Sequence, residues 1–336
     1  MAVLEIENLE IRYRSRGAEA QAVKGVSLQL QPGECLGLIG ESGCGKSTVA
    51  KAVMGLLPRN AYIAHGSIRF EGKELVGIAE EELRRLRWKR MALIPQAAMN
   101  GFDPLYTIEK QLEETIKAHE RSSGEDLRTR LQESFVRVGL PTTRLRDYPH
   151  QFSGGMRQRA MIAMSLLFDP PLIVADEPTT GLDVLVQDQI LQSVIEQGVR
   201  AGKSILIITH DMGVVAENCD KVAVMYAGHI VEYGDHTLFQ TARHPYTLGL
   251  RSAFPNLSDR GRTLISIPGA PPDIFAPEPG CCFRKRCPFA TERCLEPPPL
   301  VPVGPSQAVA CHYVERAEEF RARAAEASTW EAVNTP

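Results

Sequence analysis

Residues 40–48, GESGCGKST, set glycines, a lysine and two hydroxyls in the pattern G-x-x-x-x-G-K-[ST]. Glycines at such spacing let the backbone curl until successive N–H groups point at phosphate oxygens, and the lysine reaches the β and γ phosphates. Gly40, Ser42, Gly43, Cys44, Gly45, Lys46, Ser47 and Thr48 are therefore the candidate nucleotide-binding residues, with Ser47 a ligand for Mg²⁺. This loop alone is shared by kinases, GTPases and many ATPases. Three later segments narrow the chemistry. LIVADEP (172–178) is an apolar run ending in two adjacent carboxylates. Asp176 can complete a Mg²⁺ shell, and Glu177, facing the other way, can polarise an attacking water. FSGGMRQRA (152–160) opens a second helix with Ser153, Gly154 and Gly155, another N-terminus suited to phosphate. ITHD (208–211) leaves His210 at a strand end; alone it reads as an ordinary strand-end histidine, and only its company gives it a γ-phosphate role. A different chemistry is suggested by GCCFRKRCPFATERC (280–294), with four cysteines in fifteen residues and a further one at Cys311.

The elements that must position these residues can be read from periodicity. Residues 3–13 alternate apolar and polar side chains, as edge or antiparallel strands do, and 22–30 form a second strand. The QPGE turn leads into CLGLIG, a short buried strand feeding the glycine loop. Helical patterns cover 80–88, 108–119 and 126–139. Two buried strands follow at 172–176 and 204–210 with a helix between them. Alternation of this kind predicts an α/β fold with a mainly parallel sheet. Past residue 244 prolines crowd in, periodicity fades and five of the eight cysteines appear, so a boundary is expected there; 314–328 reads as a surface helix.

The totals agree with such a chain. At 336 residues it has room for two domains, and 43% hydrophobic with 24% charged residues suits a globular protein with a sizeable core. A net charge of −3 and a pI near 6.3 give no footprint for nucleic acid or anionic lipid. The basic run RRLRWKR (84–90) reads as a solvated helix face. No secretory signal or membrane-spanning run is recognised, so a reducing cytosol is expected, where clustered thiols bind metal more often than they pair.

In the order GESGCGKST, LIPQ, SGGMRQR, LIVADEPTTGLD and ITH, the first 240 or so residues resemble the ATP-binding subunits of ABC transporters. The resemblance implies a P-loop ATPase core over 1–245 with an antiparallel β subdomain and a helical subdomain at about 97–165. It implies that Tyr13 stacks on adenine, that Gln96 contacts Mg²⁺ or water and senses the membrane partner, and that Asp183 belongs to a loop at the subunit interface. Glu177 would be the general base and His210 the switch histidine. Ser153, Gly154, Gly155 and Gln158 would clamp the ATP held by a second ATPase subunit. Two phosphate cradles on one chain then serve two different ATPs across a head-to-tail dimer. The chain departs from the family pattern at Phe152, where leucine is usual, and over QAAMNGFDP (96–104).

With one P-loop, no long heptad insertion and no membrane span, the reading is a stand-alone importer subunit. HPYTLGL (244–250), IPGAPPD (267–273) and the cysteine run resemble the tail of the peptide/nickel importer ATPases. The resemblance implies an ATPase that powers import of dipeptides or oligopeptides; nickel chelates, oligosaccharides, or a soluble regulatory role without a permease are the alternatives. It implies a related second ATPase subunit, two permease subunits, a separate solute-binding protein and a peripheral place on the cytoplasmic face of the membrane. In the cysteine-rich region 246–336, the matched thiols are Cys281, Cys287, Cys294 and Cys311, spaced C-x5-C-x6-C-x16-C, with Cys282 the spare. Four thiolates can hold Zn²⁺ or a [4Fe–4S] cluster; the lack of tight C-x₂₋₄-C pairs and the resemblance both favour the cluster, zinc comes second and unmetallated thiols third. Cys35, Cys44 and Cys219 read as packing residues.

Overall fold

The computed structural model describes all residues except 16, 97–100, 122, 179–201, 254–264, 277–278, 332 and 334–336. The chain opens with β1 (Leu4–Ser15) and β2 (Ala18–Leu30), then β3 (Cys35–Ile39), α1 (Lys46–Val53), β4 (Ala61–Phe70), β5 (Lys73–Glu74), α2 (Glu80–Leu86) and β6 (Met91–Ile94). The helices α3 (Ile108–His119), α4 (Gly124–Arg137) and α5 (Gly154–Ser165) follow, then β7 (Leu172–Asp176), β8 (Ser204–Thr209), α6 (Met212–Asn218), β9 (Lys221–Tyr226) and β10 (His229–Asp235). The last third carries α7 (Leu238–Thr241), α8 (Pro245–Ala253), β11 (Val301–Pro302), β12 (Ala308–Val309), α9 (Ala317–Ala324) and α10 (Ala327–Glu331). The helix expected between β7 and β8 lies outside the described residues.

Two sheets form. One is antiparallel, in the order β2-β1-β4-β5; the other runs β11-β12-β10-β9-β3-β8-β7-β6. Neighbours from β9 through β6 are parallel, whereas β10, β12 and β11 add antiparallel strands at one edge. The short apolar strands are buried on both faces, as a covered parallel sheet requires. Along β8, Ile205 and Ile207 enter one core while Leu206 and Ile208 enter the other; along β7, Ile173 and Ala175 part from Leu172 and Val174 in the same way. This two-residue alternation packs one face against α1 and the antiparallel sheet, and the other against the helices α3 to α5 and the C-terminal region.

The C-terminal region is fastened to that same core rather than standing clear of it. β12 pairs with β10 at Glu232↔Val309 and Tyr233↔Ala308, which extends the main sheet. Phe283, Phe289, Phe320 and Trp330 are buried with the residues of the helical side. The surface helix expected at 314–328 is in fact a 3₁₀ turn followed by α9 and α10, and it buries Phe320, Ala324 and Trp330. The basic run also does more than face water. Arg87 donates from Nε to the Met54 carbonyl (2.8 Å) and from Nη2 to that of Gly55 (2.8 Å), satisfying carbonyls at the end of α1.

Candidate active site

Parallel sheets of this kind gather ligand-binding residues beyond the carboxyl ends of their strands. The loop after β3 supplies residues 40–45, β6 leads to Gln96, β7 ends in Asp176 and Glu177, and β8 leads to His210. The glycine loop needs its glycines. A Cβ on Gly40 would stand 2.1 Å from the Met225 carbonyl oxygen, and Gly45 has φ 111° with a Cβ position 2.6 Å from the Ala22 carbonyl oxygen. Lys46, only 4% exposed, donates from Nζ to the carbonyls of Gly40 (2.7 Å) and Glu41 (2.9 Å), so its ammonium lies along the inside of the loop.

The two adjacent carboxylates diverge. Ser47 donates to Asp176 Oδ1 at 2.8 Å, and burial raises the Asp176 pKa while that hydrogen bond opposes the shift. Glu177 has φ 45°, an uncommon left-handed backbone for a side chain of this size, and its N–H bonds the Ile208 carbonyl (2.8 Å). Its carboxylate accepts from Gln96 Nε2 at 2.7 Å, with His210 Nδ1 at 3.8 Å from the same oxygen. His210 is 63% exposed at the side chain, on the open rim. Tyr13 and Thr48 join hydroxyls at 3.1 Å.

A cavity of about 380 Å³ collects Tyr13, Ser42, Gly43, Gly45, Lys46, Ser47, Thr48, Gln96 and Glu177. Gly40 and Asp176 stand behind this wall, and Cys44 turns its thiol into the core, where burial raises its pKa. Asp183 falls outside the described residues. Ser153, Gly154, Gly155 and Gln158 are elsewhere. Ser153 caps α5 by accepting from the Met156 N–H (3.3 Å) and remains exposed, while Gln158 is buried and donates to the Pro178 carbonyl. Phe152 fits the core below them. Ile274 and Phe275 also line the nucleotide cavity, although nothing in the sequence reading pointed to them. Their only signal is an apolar pair directly after a Pro-Pro-Asp turn.

Cys281, Cys287, Cys294 and Cys311 line one small cavity of about 20 Å³, walled by Phe283, Phe289 and Phe320. Cys282 does not line it; it borders a neighbouring cavity with Lys24 and His229. Among the described residues no group of three or more His, Cys, Asp or Glu side chains is disposed to hold a metal ion. Burial raises the pKa of Cys287 and Cys311, the latter to about 11, and the neighbouring cysteines add to both shifts. Hydrogen bonds from Cys282 and His244 draw Cys281 the other way, below the usual thiol range.

A glycine loop between a parallel strand and a helix, a paired carboxylate two strands away and a separate Ser-Gly-Gly helix start together define an ATPase of the ATP-binding cassette class. The family profile for the ABC transporter matches residues 23–180, and that for the oligopeptide/dipeptide transporter C-terminal region matches 231–294. The dipeptide transport ATP-binding protein DppD of Bacillus subtilis is 44% identical over 290 residues, covering 85% of this chain and 87% of the relative. The oligopeptide transport ATP-binding protein OppD of Escherichia coli is 42% identical, covering 92% and 93%. Among solved structures, the dimeric post-hydrolysis state of the ATP-binding cassette MJ0796 bound to ADP and Pi superposes with a TM-score of 0.63 at 26% identity, over 69% of this chain and 98% of that one. The chain belongs to the ABC transporter ATP-binding subunits, in the branch that carries the oligopeptide/dipeptide transporter C-terminal region.

Proposed function

We propose that this chain hydrolyses ATP to drive import of dipeptides or oligopeptides through permease subunits in the membrane. The observation that carries the reading is the convergence of Lys46, Ser47, Gln96 and Glu177 on one cavity at the carboxyl ends of parallel strands, in a chain about 43% identical to peptide transport ATP-binding proteins. Lys46 and the loop N–H groups would hold the β and γ phosphates. Ser47 and Gln96, backed by Asp176, would complete the Mg²⁺ shell; bound Mg²⁺ neutralises charge building on the transferred phosphoryl group. Glu177 would take the proton from the attacking water, and His210 would approach the γ-phosphate from the rim. Tyr13 would stack on adenine.

Ser153, Gly154 and Gly155 stand clear of the chain's own cavity, which supports their use on an ATP held by a second subunit, with Gln158 fixing the start of α5 and Asp183 at the same interface. The second subunit is expected to be a related but distinct chain. Beyond Gln96, Leu105 is 78% exposed and Tyr106 47%, an apolar pair suited to a permease contact. No helix among the described residues is long and apolar enough to cross a membrane, in keeping with a peripheral subunit on the cytoplasmic face. A solute-binding protein would choose the cargo.

The cysteine-lined cavity supports a thiolate-ligated centre, with [4Fe–4S] ahead of structural zinc. Four sulfur donors surround one space; burial opposes ionisation of Cys287 and Cys311, which a cationic centre would offset, whereas Cys281 is already drawn toward the thiolate. Cys281, Cys287, Cys294 and Cys311 would hold it, and it would lend order to a segment rich in proline. The decisive experiment is reconstitution with two permeases and a binding protein in proteoliposomes. Uptake of labelled dipeptide that requires ATP is expected; ATP hydrolysis without peptide uptake, in the presence of transported nickel chelate or oligosaccharide, would move the cargo assignment.

A further inference from the structure

Glu41, the second residue of the glycine loop, lies outside the lining of the nucleotide cavity, yet every polar group it carries is engaged. Its N–H donates to Tyr246 Oη at 2.8 Å, and its carbonyl accepts from Lys46 Nζ at 2.9 Å. Its carboxylate takes both arms of the Arg286 guanidinium, at 2.7 Å from Nη1 to Oε2 and 3.1 Å from Nη2 to Oε1. Arg286 is 6% exposed and spends its remaining donors on the Pro268 carbonyl (2.7 Å), the Ile267 carbonyl (3.4 Å) and Tyr226 Oη (3.2 Å). The Tyr246 ring is itself fixed, 4.5 Å from Tyr226 and 5.3 Å from Phe283 between centroids. Two residues of the C-terminal region, 205 and 245 positions away in sequence, thus grip the backbone and the side chain of one loop residue.

The grip starts from a particular place. Arg286 closes the 3₁₀ turn Arg284–Arg286, which is bracketed by Cys281 and Cys287. The turn is held by Arg284 N–H to the Cys281 carbonyl (3.0 Å) and Cys287 N–H to the Arg284 carbonyl (3.3 Å), while Cys281 N–H reaches the Cys294 carbonyl (2.9 Å). Moving the cysteines therefore moves the guanidinium. A planar, bidentate pair has little tolerance for such a shift, and the buried Arg286 guanidinium left without its half-buried carboxylate partner is costly.

We infer that Arg286 and Tyr246 are positioning residues for nucleotide binding, and that through Glu41 the order of the 281–287 turn and the occupancy of the nucleotide site are reciprocally coupled. The inference rests on the assignment of residues 40–48 as the phosphate cradle. By linkage, nucleotide must stabilise the turn by the same factor by which an ordered turn tightens nucleotide.

The test uses the full chain, a fluorescent ATP analogue, and amide hydrogen exchange read over 281–287. R286Q and E41Q should each weaken analogue binding about tenfold, and E41Q/R286Q should lose no more than either single change, since both remove one interaction. Y246F, which deletes a single hydroxyl and spares the ion pair, should weaken binding about threefold. Nucleotide should slow exchange of the 281–287 amides several-fold in the natural chain and leave it unchanged in R286Q, a response that general loss of stability would not give. Binding within twofold of the natural chain in R286Q, E41Q and Y246F overturns the proposal, as does exchange over 281–287 that ignores nucleotide in the natural chain. If R286Q does not fold, E41Q and Y246F decide by the same two measurements. If K46A also binds the analogue normally, it is the cradle assignment that has failed.

Discussion

The nucleotide cavity and the cysteine-lined cavity sit in one molecule and are built on opposite plans. The first hangs from the ends of four parallel strands whose residues are buried on both faces, so its geometry is imposed by the sheet. The second is assembled mostly from 3₁₀ turns and loops around three phenylalanines, one of which, Phe320, comes from α9. The first has about 380 Å³ of room and the second about 20 Å³. A site on strand ends is preorganised and can be weakened one side chain at a time. A site on turns depends on what fills it, so its changes should spread into stability.

Chemistry at the strand ends gives the largest effect. Glu177→Gln keeps the shape of the side chain and its place beside Gln96 while removing the base, so steady-state ATP turnover should fall by about 10² to 10⁴. ATP affinity should stay within about threefold, because the phosphate contacts survive. A turnover rate like that of the natural chain would remove Glu177 from its role. Lys46→Ala acts at the other end of the cycle. A charge-assisted contact of about 1.5–3 kcal/mol corresponds to a loss of about ten- to a hundredfold in nucleotide affinity, measurable by titration calorimetry.

How much of this contrast was legible follows from the same difference. The strand-end site could be read because each of its parts is local: a loop pattern, a carboxylate pair after an apolar run, a histidine after another. The helix at 108–119 appeared where its periodicity placed it, between Thr107 as N-cap and Glu120. The turn-built region could not be read in this way. Nothing local in HPYTLGL shows that the hydroxyl of Tyr246 meets a loop two hundred residues away, and the pairing of Ala308–Val309 with β10 involves only two residues. Periodicity over 314–328 suggested a helix facing water, yet Phe320 stacks on Phe289 at 4.1 Å, a contact that only the folded tail defines. The cysteines were legible as a set because thiols carry chemistry by type; the resemblance already sets Cys282 apart as the spare, and in the fold it borders a neighbouring cavity.

The turn-built site can be broken at Cys294, buried at the junction of the cavity and held by its N–H on the Thr291 carbonyl (3.0 Å). In protein purified anaerobically, about four irons and four sulfides per chain are expected, and Cys294→Ser should lose most of them. If that region takes its order from a bound centre, the thermal midpoint should fall by several degrees, in contrast with Glu177→Gln, which should leave it near the natural value. A colourless natural chain holding one zinc would replace the cluster by a tetrahedral site and point to a rearranged cysteine set.

The smallest effect falls where the two plans meet. Ile274 and Phe275 belong to the turn-built region yet line the strand-built cavity, opposite in the chain from Tyr13. Phe275 is 44% exposed, an unusual cost for a phenylalanine unless a flat apolar partner covers it when the site is filled. If that partner is adenine, Phe275→Ala forfeits one stacking contact of about 0.5–1.5 kcal/mol, and ATP affinity should drop about two- to tenfold with turnover at saturating ATP unchanged. The base identity makes the test sharp: inorganic triphosphate, which carries the phosphates without the ring, should bind the natural chain and Phe275→Ala equally well. Tyr13→Ala should show the same selectivity, and the double variant should reveal whether the two rings share one base. Losses that add would place them on independent faces, whereas a double variant no weaker than Tyr13→Ala would mean that Phe275 acts only by keeping Tyr13 in place. Equal loss for triphosphate and ATP would deny Phe275 any contact with the base and confine the C-terminal region's influence to the grip on Glu41.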